Sequence, residues 1–272
     1  MTVEGYGPAS YGDAFADIYD DWYPPTLQTR AAVDALARLA GGSPVLELGC
    51  GTGRLCLPLL ERGLEVDGLD ASEAMLAQLR AKPQAAALRA HHGDMARFDL
   101  GRARFGLVFA AFNTLFNLGS AAEQAACFAR VARHLRPGGR FVIECFLPAG
   151  AAADAEAGAD SHNGGPGGAP TTDAIELRDL TADRVVLRIS RQDHAAQTVS
   201  GQHVELSEAG VRLRPWHLRY ASPAELDTLA GQVGLVLEER WSDWSGAPFD
   251  EHADQHVSVY RHDAAPSPPG GL

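Results

Sequence analysis

A chain of 272 residues, 46% hydrophobic and 21% charged, has the make-up of a soluble globular protein with one sizeable core plus a lid or small subdomain. Its formal net charge of -12, with lysine reduced to a single residue, argues against DNA or RNA as a partner, because phosphate backbones are met by clustered cations. No apolar run is long enough to span a bilayer and the first residues lack the basic and apolar regions of a secretory leader, so no membrane is expected and the cytoplasm is the expected compartment.

Five aromatic residues, Tyr11, Phe15, Tyr19, Trp22 and Tyr23, punctuate the first stretch. Apolar spacing then predicts a helix over 27–40 that stops at Gly41-Gly42, a strand over 44–48, and a helix over 53–62 that Gly63 caps and Pro58 kinks. A strand over 64–69 ends at Asp70, and Ser72 opens a helix to about Ala81. Strands follow over 86–91 and 105–112, the second so apolar that it must be central and buried on both faces. A helix over 120–135 leads through the turn Arg136-Pro137-Gly138-Gly139 into a strand over 140–146. Cys50, Cys56, Cys127 and Cys145 lack paired spacing and read as reduced core thiols.

The regularity breaks at about 148. Ala149 to Thr172 is low in complexity and is expected to be a mobile loop. Four segments of β character follow, over 173–180, 184–193, 198–207 and 210–220, whose alternation predicts an antiparallel sheet with one wet face. Arg188, Arg191, Arg212, Arg214 and Arg219 would mark an anionic acceptor if they faced inward, but alternation assigns them to the solvated side. Ser222-Pro223-Ala224-Glu225 carries an N-cap, a proline at the first helical position and a capping-box acid, and strands over 233–241 and 256–261 complete the main sheet. The fold class is therefore α/β: a Rossmann-like, doubly wound, mostly parallel seven-stranded sheet with an antiparallel β insertion acting as a cap over the strands' C-terminal edge, where ligands of such sheets bind. Residues 1–147 and 218–262 form the expected core, 148–217 the cap and 263–272 a disordered tail.

The chemistry starts at Val45-Leu46-Glu47-Leu48-Gly49-Cys50-Gly51-Thr52-Gly53-Arg54. Glycines on alternate positions after a buried strand let the backbone turn tightly and approach a nucleotide-like ligand. A dinucleotide site wants G-x-G-x-x-G, and the sixth position here is Arg54. Asp70, at the next strand end, suits a bidentate contact to two ribose hydroxyls, which serves several nucleotide cofactors alike. Gly93-Asp94-Met95 follows one strand later.

Glu47-x-Gly49-x-Gly51-x-Gly53, followed by Asp70 and the Gly-Asp pair, resembles the class I S-adenosylmethionine-dependent methyltransferases over about 43–147. The resemblance implies S-adenosylmethionine as cofactor and S-adenosylhomocysteine as product. It places Asp94 and the Met95 N–H on adenine, Met75 against the adenine face, Ala71 beside Asp70, and the backbone near Ala110 on the methionine part. The chain is most similar to small-molecule enzymes of natural-product pathways, among them the aminosugar N,N-dimethyltransferases, which share the aromatic lid, the His-Gly-Asp-Met stretch and the insertion. By that similarity Tyr19, with Tyr23 nearby, holds the cofactor carboxylate and Tyr11 faces the acceptor. Where the aminosugar enzymes have a histidine after the fourth strand, this chain has Asn117.

The expected reaction is in-line methyl transfer to an O or N atom of a small molecule, with no metal needed. Tyr11, Asn113, Asn117, His203 and His217 are the candidate bases or orienting groups. A nicotinamide-dependent oxidoreductase and a non-catalytic cofactor-binding module remain as alternatives, and a homodimer is among the assemblies the sequence allows. His91-His92 would point to opposite faces of a strand, and His252 and His256 lack a third ligand, so no metal site is expected.

Overall fold

Capping signals and β-rich runs close the chain into two sheets. The computed structural model describes residues 5–148, 171–250 and 252–263. Two short lid helices, α1 (Ser10–Phe15) and α2 (Tyr19–Trp22), precede α3 (Leu27–Ala40), β1 (Val45–Leu48), α4 (Cys56–Glu61), β2 (Val66–Asp70), α5 (Glu73–Arg80), β3 (Arg89–His92) and β4 (Phe105–Ala110). The chain continues through α6 (Ala121–His134) and β5 (Leu135–Phe146). Then come the four strands β6 (Thr171–Leu180), β7 (Arg184–Asp193), β8 (Thr198–Ser207) and β9 (Gly210–Arg219), followed by α7 (Pro223–Gln232), β10 (Leu235–Trp241) and β11 (Gln255–His262). Seven strands lie in the order β10-β11-β5-β4-β1-β2-β3, with β11 antiparallel to both neighbours and β1 to β5 mutually parallel. All six residues of β4 are buried, as a strand covered on both faces requires.

Thr26, Ser72, Ser120 and Ser222 each accept the backbone N–H three residues on and so cap α3, α5, α6 and α7, each contact worth about 1 kcal/mol. Two local expectations are corrected. Helix α4 begins at Cys56 rather than 53, which puts Pro58 in its first turn, where no helical N–H is needed, so the kink has no cause. Residues 136–139, expected as a turn, lie within β5 as a bulge, Phe105 pairing with Leu135 and Leu107 with Arg140. The expected loop at 149–172 and tail at 263–272 fall almost wholly outside the described residues.

The second sheet reverses the sidedness expected for it. Strands β6 to β9 pair in sequence, and Glu176, Arg188, His203 and Arg214 form one cross-strand row that faces the lid and main sheet. The neighbouring row, Leu177, Leu187, Val204 and Leu213, faces away, leaving Leu177 and Leu213 more than half exposed. Arg214, assigned above to solvent, is 1% exposed. Charged residues face inward because acidic lid side chains are there to meet them.

Candidate active site

After β1 the chain turns at Gly49 and Gly51 with φ of +65° and +54°, a region that side chains disfavour. A Cβ on Gly49 would come 2.4 Å from the Thr114 methyl, whereas one on Gly51 would meet nothing nearer than the Met75 sulfur at 3.9 Å and would enter open space. The Gly51 N–H donates to Asp70 Oδ2 and the Ser72 N–H to Asp70 Oδ1, both at 2.8 Å. These bonds fix the carboxylate while leaving lone pairs on both oxygens. Burial pushes the Asp70 carboxyl up, and its backbone donors oppose that rise. Asp94 Oδ1 accepts from the Ala96 N–H at 2.8 Å, and Oδ2 faces the exposed Arg97 guanidinium at 3.6 Å, beyond hydrogen-bond distance, with room to accept from a ligand amine.

Three acids clasp the lid, Asp13 and Asp20 to this floor and Asp17 to the second sheet. Ser72 Oγ donates to Asp13 at 2.6 Å, and the Arg214 guanidinium reaches both Asp17 oxygens at 2.6 and 3.0 Å and also the Ala14 carbonyl. Asp20 accepts from Thr52 Oγ1 and lies 2.7 Å from Lys82 Nζ, which also donates to the Thr52 carbonyl at 2.8 Å. Tyr11 stacks on Phe15 at 4.5 Å between centroids, and Tyr19 lies 4.9 Å from Tyr23.

Beyond β4, Phe112 and Asn113 both take left-handed conformations, with φ of +52° and +64°. Glu144 supports the turn, its carboxylate accepting the Phe112 N–H at 2.8 Å and its carbonyl the Asn113 N–H at 3.0 Å. Asn113 Oδ1 is taken by the Phe146 N–H at 2.6 Å, so this side chain shapes the turn.

Glycine turn, lid, turn after β4 and second sheet enclose a cavity of about 350 Å³. Of the predicted residues, Tyr11, Tyr19 and Tyr23 line it from the lid, and Gly49, Gly51, Asp70, Ala71, Met75, Gly93, Asp94 and Met95 from the main sheet and its loops. Asn117 and His203 line it from the opposite side. Three others do not. Glu47 lies buried beneath the turn, its carboxyl raised well above the ordinary range by burial and by Cys56. Ala110 is fully enclosed within the sheet. His217 follows Trp216 on β9; alternation turns Trp216 and Leu218 to the cavity and His217 away, where its Nδ1 lies 2.7 Å from Ser200 Oγ.

Titration separates the remaining candidates. Burial and neighbouring tyrosines push the Tyr11 hydroxyl well above its ordinary value, which keeps it protonated at neutral pH and able to donate a hydrogen bond. Burial likewise raises Tyr19, to about 12. His203 is pushed down to about 4 by burial and by Arg178, Arg188 and Arg214, and is therefore neutral at pH 7.

A family model described as a methyltransferase domain matches residues 45–139. The CcbJ methyltransferase of Streptomyces caelestis is 42% identical, superposes with a TM-score of 0.82, and the match covers 95% of this chain and 100% of that one. The chain belongs to the S-adenosylmethionine-dependent methyltransferases. A cypemycin N-terminal methyltransferase from a Streptomyces species is 29% identical, with 93% of this chain and 97% of the relative covered. A dTDP-3-amino-3,6-dideoxy-alpha-D-glucopyranose N,N-dimethyltransferase of Streptomyces fradiae is 37% identical over 51% of this chain, and the chain spans 56% of that relative's length.

The residues of this methyltransferase fit the cofactor. Space in front of Gly51 that a Cβ would fill, free lone pairs on Asp70 and an Asp94 oxygen held only by a long ion pair to Arg97 match a backbone-hugging chain, a ribose diol and an adenine amine. Sequence reasoning missed Arg54 as a wall residue, treating it only as the break in a dinucleotide pattern. Its guanidinium sits 3.4 Å over the Phe112 ring and 5.9 Å from both Tyr19 and Tyr23, where a cofactor carboxylate would meet it. Arg178, 4.5 Å over Trp22, and Trp216 were also missed, because alternation on the second sheet does not say which face turns inward.

Proposed function

We propose that this protein transfers the methyl group of S-adenosylmethionine to a nitrogen or oxygen atom of a small natural-product-type molecule. The observation that carries it is one cavity with a cofactor floor of Gly51, Asp70 and Asp94 and, opposite, a polar wall of Asn117, His203 and Trp216. The relatives named for N-methylation favour nitrogen. The bound sulfonium supplies an activated methyl and a neutral leaving group. Asp70 and Asp94 would hold the nucleoside, Arg54 and Tyr19 the carboxylate, and the lid would exclude water, so that catalysis rests largely on alignment. We divide the chain into a core with lid, 1–147 and 218–262, and a cap, 148–217, that completes the acceptor pocket. Calorimetry with S-adenosylhomocysteine tests the cofactor half: micromolar binding that Asp70→Ala weakens by at least about tenfold is expected, and no binding would refute the proposal. Mass spectrometry of candidate acceptors for the gain of one methylene tests the transfer.

Its partners on this proposal are small molecules and not nucleic acid, in keeping with the net charge. Cytoplasmic residence is supported by four buried free cysteines. Among the described residues no helix is long and apolar enough to cross a membrane. A homodimer is supported by the exposed aliphatic row on the second sheet, and a monomeric mass by light scattering would refute it.

A further inference from the structure

The polar wall opposite the cofactor floor holds two hydrogen-bond acceptors with nothing to accept. Asn117 Nδ2 donates to the Thr114 carbonyl at 3.3 Å, which sets the amide so that Oδ1 is the free end. That Oδ1 is buried and has no partner among the described residues. His203 is 5% exposed, and neither ring nitrogen has a partner among the described residues. Its ring is held by aromatic edges, with Trp22 at 5.2 Å and Phe15 at 5.5 Å between centroids. Both residues line the same cavity. A buried unpaired polar atom costs about 1–3 kcal/mol, and among the described residues this wall holds four, the two acceptors together with the second His203 ring nitrogen and the Trp216 Nε1–H, a set most simply explained by a polar ligand that fills them.

We infer that the methyl acceptor is a neutral primary amine whose two N–H groups are received by Asn117 Oδ1 and a ring nitrogen of His203, leaving the nitrogen lone pair to face the methyl donor. The inference rests on the methyltransferase reading and deepens it. A primary amine donates two hydrogen bonds and keeps one lone pair, which matches two acceptors and one electrophile. A hydroxyl donates one and would leave an acceptor stranded. An ammonium has no lone pair, and the surroundings disfavour it. Arg188 of β7 and Arg214 of β9 sit directly across the ladder from His203, with Arg178 of β6 also facing it. The acids facing this row, Glu176 and Asp17, are already paired to Arg188 and Arg214, and the lid meets the ring with the aromatic Phe15 and Trp22. The cationic surroundings that hold His203 neutral also favour the unprotonated amine.

In the transfer the nitrogen lone pair forms the N–C bond as the C–S bond breaks, the electrons of that bond staying on the departing sulfur. Nitrogen is then a methylammonium still hydrogen-bonded to Asn117 and His203, and it gives its surplus proton to solvent when the lid opens, because the arginines that hold His203 neutral keep the imidazole from taking it. Asn117 cannot take a proton and only orients.

The test uses protein loaded with S-adenosylhomocysteine and the probe pair glucosamine and glucose, which differ in one amine for one hydroxyl. Calorimetry between pH 6 and 9 should show glucosamine binding more tightly than glucose, with an affinity that rises as the ammonium is titrated away. In nitrogen-15 spectra of histidine-labelled protein, glucosamine should shift one His203 ring nitrogen. His203→Phe and Asn117→Leu should each weaken glucosamine by about tenfold without changing cofactor affinity, and His203→Gln, which restores an acceptor, should recover part of the loss. Equal or absent binding of the amine, or binding that both variants leave intact, overturns the inference while cofactor affinity still supports the methyltransferase reading. Wild-type protein that fails to bind S-adenosylhomocysteine overturns that reading itself.

Discussion

Replacing Arg214 by Leu removes a guanidinium that is almost wholly buried and that makes three hydrogen bonds to the lid, two to Asp17 and one to the Ala14 carbonyl. Deleting one partner of a buried ion pair costs about 3–5 kcal/mol when the other charge is left stranded. Asp17 is not stranded, because its side chain is 45% exposed and Arg212 stands 2.9 Å away. The cost therefore falls to about 2 kcal/mol, and most of it lands on the lid, since the guanidinium ties β9 to α1 and not to the main sheet. Two kcal/mol corresponds to about a thirtyfold rise in the open fraction of the lid. Hydrogen exchange should show faster exchange over residues 10–22 by about that factor, with the β1, β4 and β5 amides unchanged, and Arg214→Lys should fall between. Uniform acceleration across the main sheet, or none in the lid, would refute the local clasp.

Gly51→Ala should leave the fold intact at a cost of about 1–2 kcal/mol for the left-handed backbone and weaken S-adenosylhomocysteine by more than about tenfold, because the new methyl enters the cavity; calorimetry beside thermal unfolding separates the two effects. His256, fully buried, is pushed from 6.5 to about 4 by burial and Arg240. The unfolded chain thus binds its proton first as pH falls, and stability is lost between about pH 6.5 and 4 by up to about 3 kcal/mol; acid unfolding curves of His256→Gln should be flatter over that window. Arg214 holds the Asp17 carboxyl below its ordinary value, so the clasp is present above the unfolded pKa and is lost as pH falls through the folded one. Lid exchange should accelerate below about pH 4 in the wild type, and Asp17→Asn should weaken that dependence, leaving the part carried by Asp20.

Periodicity made the strands and helices legible: the four strands of the second sheet fall within about two residues of their predicted bounds, because alternation and turn residues are local signals. Which face of that sheet turns inward was not legible. Period-two alternation has no sign, and the usual assumption that charge points outward fails once Asp17 offers Arg214 a buried partner. The same missing sign turned His217 away and brought Trp216 in. The cofactor wall was readable wherever glycine, a strand-end acid or a turn marks a backbone need, as at Gly51, Asp70 and Asp94. Glu47 on β1 and Ala110 at the end of β4 lie within or beneath the sheet, and only three-dimensional stacking separates them from the residues that line the cavity. Arg54 carries no periodic signal, since its role depends on Phe112, fifty-eight positions on and left-handed.

Lys82 is the only lysine in the chain, and it is spent on holding the lid shut through Asp20 and the Thr52 carbonyl. A reagent that acylates primary amines therefore has one side-chain target, and it stands at the contact between lid and floor. A dye attached there would mark the gate of the active site without the engineering of a cysteine.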